Sequence, residues 1–262
     1  NLNFANWTAG GAPTTFTSPF DISTTAWADG SYTLRVNATD LAGNLRFASY
    51  TFTVDSTPPT VSLVSPASGA VVRAGTTIDL SVSDTNLNAA NWTTGGAPSA
   101  LASPYDISTT AWGDGVYTIR VNATDLAGNL RSANYTITID STPPSVALNS
   151  PANGSVFPAG TTIDLSVSDA NLNAVNWTTG GAPTAITSPF DISTALWADG
   201  SYTLRVNATD LAGNLVYRSY SFVLDSTPPT IVLNSPGSGA VVRAGTTLDL
   251  SVADANLSVV TW

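Results

Sequence analysis

The chain has 262 residues, with 18 acidic against 8 basic side chains, a net charge of −10 and no histidine, cysteine or methionine. Lysine, glutamate and glutamine are missing too, so every acid is an aspartate and every base an arginine. That inventory excludes disulfides and thiolate metal sites, removes the usual groups of acid–base and covalent catalysis, and disfavours a phosphate-backbone partner. The sequence is read as non-enzymatic, with no nucleic-acid partner. No apolar run of about 18 residues predicts a membrane span.

From the N-terminus, residues 1–55 begin in the middle of a pattern that is first whole over residues 56–140. There, strand candidates follow at 60–64 and 70–73. Next comes a run in which Ile78, Leu80 and Val82 alternate with Asp79, Ser81 and Ser83, the period-two signature of a half-buried strand. Strands are also predicted at 89–93 and around 105–108. Tyr117, Ile119 and Val121 alternate with polar residues in the same way, as do Tyr135, Ile137 and Ile139. Gly, Pro, Asn and Asp clusters separate the runs as turns, and no stretch has a helical period. Seven or so short strands in such a unit predict an all-β fold, a sandwich.

The pattern then repeats. Asp-Ser-Thr-Pro-Pro begins at Asp55, Asp140 and Asp225, a period of 85 residues. Trp7, Trp92, Trp177 and Trp262 form one tryptophan series and Trp27, Trp112 and Trp197 a second. The expected domains are 1–55 (partial, strands C to G), 56–140 and 141–225 (complete), and 226–262 (partial: A, B and the start of C). Trp92 stands where strand C of an immunoglobulin-like sandwich points a tryptophan inward. Tyr117 follows the Asp114-Gly115 turn in the place of a tyrosine corner, its hydroxyl set to bond backbone just upstream. Gly128 suits a positive φ in the F–G hairpin.

The linker Asp-Ser-Thr-Pro-Pro, the run Asp-Gly-x-Tyr-Thr-[Leu/Ile]-Arg-Val-Asn-Ala-Thr-Asp and Ala-Gly-Asn together resemble the tandem immunoglobulin-like repeats of bacterial and archaeal cell-surface proteins. The resemblance covers the whole chain. It implies tandem immunoglobulin-like β-sandwich domains with an 85-residue repeat, an extracellular location, and a role as stalk, sheath or surface filament. The cysteine pair of antibody-type domains is missing, so apolar packing alone holds the core.

Three sets of residues stand out. In such a sandwich the B–C and F–G loops share an end with the incoming linker, which would gather Asp55, Asp84 and Asp125, and one period later Asp140, Asp169 and Asp210. Three carboxylates with backbone carbonyls suit Ca²⁺, a hard cation that takes six to eight oxygens. The competing reading is that each aspartate caps its own turn. Second, Asn-x-Thr recurs in register at Asn6, Asn91 and Asn176 and at Asn37, Asn122 and Asn207, with further sequons at Asn134, Asn153 and Asn256. These are candidate glycosylation sites, with Asn91 and Asn122 expected to face outward, though a chain rich in Asn and Thr forms sequons by chance as well. Third, the two partial ends would together make one sandwich. That pattern fits a window of a longer chain, or a subunit polymerising head to tail by lending strands.

The functional expectation is a structural segment of an extracellular fibre or stalk whose partners are neighbouring repeats or copies of itself. One alternative is an adhesin or carbohydrate-binding array that meets surface glycans through Trp27, Trp112 and Trp197, expected to be exposed on loops. Another is the accessory region of an enzyme whose catalytic domain lies elsewhere.

Overall fold

Alternating apolar residues can be buried on one face of a strand only if a second sheet covers that face, and the architecture follows from this requirement. The computed structural model describes residues 2–261; Asn1 of the first repeat copy and Trp262 of the tryptophan series lie outside them. All regular elements among the described residues are strands, so no helix there is long and apolar enough to cross a membrane. The chain divides into two compact units. One holds the described residues up to 70 with 75–112 and 116–138; the other holds 71–74, 113–115 and the described residues from 139 onward.

The first unit opens with β1 (Leu2–Thr8), β2 (Thr14–Thr15), β3 (Gly30–Asp40) and β4 (Leu45–Val54), in one sheet of order β2-β1-β3-β4. In chain order there follow β5 (Thr60–Ser65), β6 (Val71–Val72), which falls in the other unit, β7 (Thr77–Ser83), β8 (Leu87–Thr93), β9 (Ser99–Leu101), β10 (Asp106–Ser108), β11 (Gly115–Asp125) and β12 (Leu130–Ile139). They form a three-stranded sheet, β10-β7-β5, and a five-stranded one, β6-β12-β11-β8-β9. The alternating residues are the buried ones: Ile78, Leu80 and Val82 on one sheet, and Ile119, Val121, Ile137 and Ile139 on the other. Strand β9 has no counterpart among the sequence-predicted strands, because three residues are too few to show a period.

The second unit repeats this plan with β13 (Ser145–Ser150), β14 (Val156–Phe157), β15 (Thr162–Ser168), β16 (Leu172–Thr178), β17 (Thr184–Ile186), β18 (Asp191–Ser193), β19 (Gly200–Asp210) and β20 (Leu215–Leu224). Its sheets are β13-β15-β18 and β14-β20-β19-β16-β17. Ile163, Leu165, Leu204, Val206, Phe222 and Leu224 form its core, with the Phe157 and Phe222 rings edge-on at 5.4 Å. It closes with the hairpin β21 (Thr230–Ser235) and β22 (Asp249–Ala253).

Among the described residues, the segments expected as partial domains, 1–55 and 226–262, contain fewer strands than the sequence leads one to expect. Residues 21–23, the expected strand E of the first partial domain, are not a strand. Their counterpart β10 is held only by β7, and the first domain has no such neighbour within the described chain. Residues 241–242 and 257–261 are likewise irregular. A strand needs a partner for its backbone N–H and C=O groups, whatever its side-chain pattern.

Candidate functional site

Each linker aspartate sits at one end of the sandwich that follows it. In the first unit Asp55 ends the chain run from β4, Asp84 follows β7, and Asp125 closes β11. One carboxylate oxygen of each lies within 4.8 Å of the other two. Asp140, Asp169 and Asp210 form the same cluster in the second unit. Asp125 and Asp210 are buried, at 2% and 1% exposure. The structure thus brings together every predicted member of both trios.

Asparagines hold these acids in place. Asn86 donates from its backbone N–H to Asp84 (2.7 Å) and from Nδ2 to Asp55 (2.7 Å). Asn129 donates from its backbone N–H and Nδ2 to the two Asp125 oxygens (2.8 and 2.7 Å), and Nδ2 also reaches the Asp55 carbonyl at 2.9 Å. Asn171 and Asn214 repeat every one of these bonds around Asp140, Asp169 and Asp210. Burial pushes the Asp125 carboxyl up, but the Asn129 side chain and backbone N–H groups outweigh it and hold it below the ordinary carboxylate value. Negative charge gathered in so small a space is self-repelling, and a cation would relieve that repulsion. A hollow of about 380 Å³, lined by Asp29, Asp55, Asp84 and Asn86 among others, opens beside the first cluster.

A second aspartate grips each linker from the bend just before β3, β11 or β19. Asp29 accepts from Ser56 N–H at 2.8 Å and Thr57 Oγ1 at 2.6 Å. Asp114 takes the same bonds from Ser141 and Thr142, and Asp199 from Ser226 and Thr227. The threonine hydroxyl first, then the serine N–H, lower each carboxyl below its usual value against the opposing effect of desolvation.

The sequons divide into two kinds. The in-register asparagines face each other across the central strands: Asn37 Nδ2 donates to Asn6 Oδ1 at 3.1 Å, and Asn122 to Asn91 and Asn207 to Asn176 at 3.3 Å. All six are half-buried, whereas Asn134, Asn153 and Asn256 are exposed. Asn153 Oδ1 accepts from Ser221 N–H at 2.7 Å.

The second tryptophan series differs from expectation. Trp27, Trp112 and Trp197 are half-buried, not free on loops. Trp27 lies 5.9 Å from Trp7 and 4.6 Å from Tyr32. Trp112 lies 6.0 Å from Trp92 and 4.5 Å from Tyr117, and Trp197 is 5.9 Å from Trp177 and 4.7 Å from Tyr202. Such offset contacts add to simple area burial, which is why the rings turn toward the sandwich.

Residues 6–56 and 69–141 match a family described as bacterial Ig-like domain, residues 144–206 one described as bacterial Ig domain, and residues 186–259 bacterial Ig-like domain, group 3. The chain is a tandem array of bacterial immunoglobulin-like domains. No curated protein matches this Ig-like array in sequence. Among solved structures it is similar to the fibronectin(III)-like modules of Clostridium thermocellum CbhA, at 18% identity and TM-score 0.41, over 63% of this chain and 94% of that one. It is also similar to a tetra-tandem repeat in the extending region of a large adhesion protein (20%, TM-score 0.36, 95% and 72%). A third similarity is to a structure of a 1.5-MDa bacterial ice-binding adhesin (18%, TM-score 0.32, 86% and 87%). At these values the likenesses say nothing of what the array binds.

Two sets of positions in the Ig-like array escape a reading by motif. Asp29, Asp114 and Asp199 look like turn residues before glycine, although Asp-Gly recurs at a fixed distance before each Asp-Ser-Thr linker. Thr109 and Thr194 are fully buried; each Oγ1 donates to a backbone carbonyl, of Thr76 or Thr161, at 2.7 Å and accepts the N–H of Gly75 or Gly160 at 3.1 Å. Their only sequence signal is recurrence in register.

Proposed function

We propose that the array is a mechanical segment of an extracellular stalk or surface filament, with Ca²⁺ bound by Asp55, Asp84 and Asp125 and by Asp140, Asp169 and Asp210. The observation that carries this reading is the convergence of three carboxylates at each of these two linkers. The work of such a segment is to transmit load without bending or unfolding. A divalent ion shared by a linker acid and two loop acids ties the linker to the sandwich that follows it, while Pro-Pro restricts the backbone beside it. The asparagine network fixes the acids beforehand, so binding orders few further groups. Neighbouring repeats are the partners in this role, and Asn134, Asn153 and Asn256 are the sequons best placed to carry surface glycans.

Calcium titration by calorimetry, with thermal unfolding in Ca²⁺ and in EGTA, tests the reading. The expected outcome is saturable binding at about 10⁻⁴–10⁻³ M, the range of extracellular modules, and a higher unfolding temperature with the ion. Asp125→Asn with Asp210→Asn abolishes both effects. A chain that binds no calcium at millimolar concentration, or gains no stability from it, contradicts the ion-tied joint.

A further inference from the structure

The sheet that carries β19 and β20 turns one face to solvent. Leu204, Val206 and Ala208 on β19 and Val216 and Phe222 on β20 are buried. Alternation therefore puts Arg205 and Asn207 on the outer face, together with Tyr217 and Ser219. The strand register joins them into two rows. Asn176, Asn207 and Tyr217 stand side by side on β16, β19 and β20, and Thr178, Arg205 and Ser219 form the next row. Two residues of strand rise, about 7 Å, separate the rows. The first domain has the same outer face, with the rows Asn6, Asn37 and Phe47 and Thr8, Arg35 and Ser49.

The middle domain shows what the other two leave open. Where they carry Phe47 and Tyr217 it has Ser132, whose hydroxyl donates to Asn122 Oδ1 at 2.7 Å and accepts from Arg120 Nε at 3.4 Å. One serine thus serves both an amide oxygen and a guanidinium. In the first and third domains the side chains of Asn37 and Asn207 keep only the bond from Nδ2 to the facing asparagine. Arg35 and Arg205 have no side-chain partner among the described residues, although the chain carries 18 acids against 8 bases. Beside them Phe47 and Tyr217 are 70% and 50% exposed. An open amide oxygen, an unpaired guanidinium and a bare aromatic ring thus share one face.

We propose that the outer faces of the first and third domains bind oligosaccharides that carry carboxylates, through Arg35, Asn37 and Phe47 and through Arg205, Asn207 and Tyr217. The aromatic ring receives the C–H face of a sugar, since its face is apolar. The asparagine Oδ1 accepts from a sugar hydroxyl, as Asn122 accepts from Ser132. The guanidinium takes the carboxylate, which its planar fork matches. The acidic remainder of the surface repels anions, so an arginine without an acid partner is where an anionic chain settles. The middle domain offers no ring, and its serine already occupies both polar groups, so it does not bind.

The test follows the backbone amide shifts of the whole isotope-labelled chain during titration with tetragalacturonate or with cellotetraose. EGTA is present so that no divalent ion bridges two acids. Shifts are expected around Phe47 and Tyr217 and not around Ser132, with tetragalacturonate binding more tightly than cellotetraose. Arg35→Ala with Arg205→Ala, two exposed positions, should weaken tetragalacturonate by about tenfold or more, the worth of a charged hydrogen bond, and leave cellotetraose unchanged. Tyr217→Ser gives the third domain the residue of the middle one, and it should end the shifts on β20 while those on β4 remain. Any of five results would overturn the proposal: no shifts with tetragalacturonate up to about 10 mM, shifts around Ser132 as large as those around Tyr217, equal affinity for the two sugars, undiminished binding by the folded double-arginine variant, or undiminished shifts on β20 in Tyr217→Ser.

Discussion

One hydroxyl fixes the turn before each long strand. Tyr32 donates to the Ala28 carbonyl and Tyr202 to the Ala198 carbonyl, both at 2.9 Å and four residues upstream. Tyr202→Phe keeps the ring against Trp197 and deletes that bond, so it should cost about 1 kcal/mol and lower the unfolding temperature of its domain by about 4–8 °C. Calorimetry on the two proteins measures it. The aspartates that grip the linkers give a pH signature. Because Asp29, Asp114 and Asp199 have lowered native values, their contribution is whole above the unfolded value of about 3.9. It is lost as pH falls through the lower folded values. Thermal midpoints should hold from neutrality to about pH 4 and then drop, and a triple Asp→Asn variant should show a shallower drop. The tyrosine role was legible in the sequence, since its turn and strand are local. The aspartate grip was not, because its partners lie 27 and 28 residues away.

Strands β7, β11 and β12 were legible from alternation because each has one dry face and one wet face. The same pattern misleads where a covering sheet or hydrogen-bonding neighbour is missing. Leu34 on β3 and Leu204 on β19 occupy the same repeat position, yet Leu204 is fully buried and Leu34 only half-buried. Leu204→Ala should therefore cost about 2–5 kcal/mol through lost transfer and an unfilled cavity, and Leu34→Ala distinctly less. Hydrogen exchange read separately on β3 and β19 compares the two. Equal loss of protection would mean that the first sheet is as well covered as the second. The irregular residues 21–23 make the same point at the backbone: Asp21-Ile22-Ser23 and Asp106-Ile107-Ser108 are identical in sequence, but only the second pairs with a neighbour and is a strand.

At the scale of the whole chain, near-identical repeats make stoichiometry a sharp test, because the acidic clusters are not all equally complete. Both full trios are assembled among the described residues. Asp225 and Asp254 start a third, joined by Asn256 Nδ2 on Asp225 at 2.6 Å and Asn256 N–H on Asp254 at 2.7 Å, and residues 226–262 hold no F–G counterpart of Asp125. At the other end Asp40 is bound by Asn44, as Asp125 is by Asn129, with no linker acid beside it in this sequence. Two carboxylates leave most of the six to eight calcium positions to water, which lowers affinity. Calorimetry on this chain should therefore give two tight equivalents of calcium, not three or four. Asp169→Asn should leave one, since it breaks the second trio without touching the first. Appending one further copy of the 85-residue period should raise the count to three. A count that stays at two after the extension would mean that the ion does not follow the repeat, and the trios would then serve only as hydrogen-bonded turns.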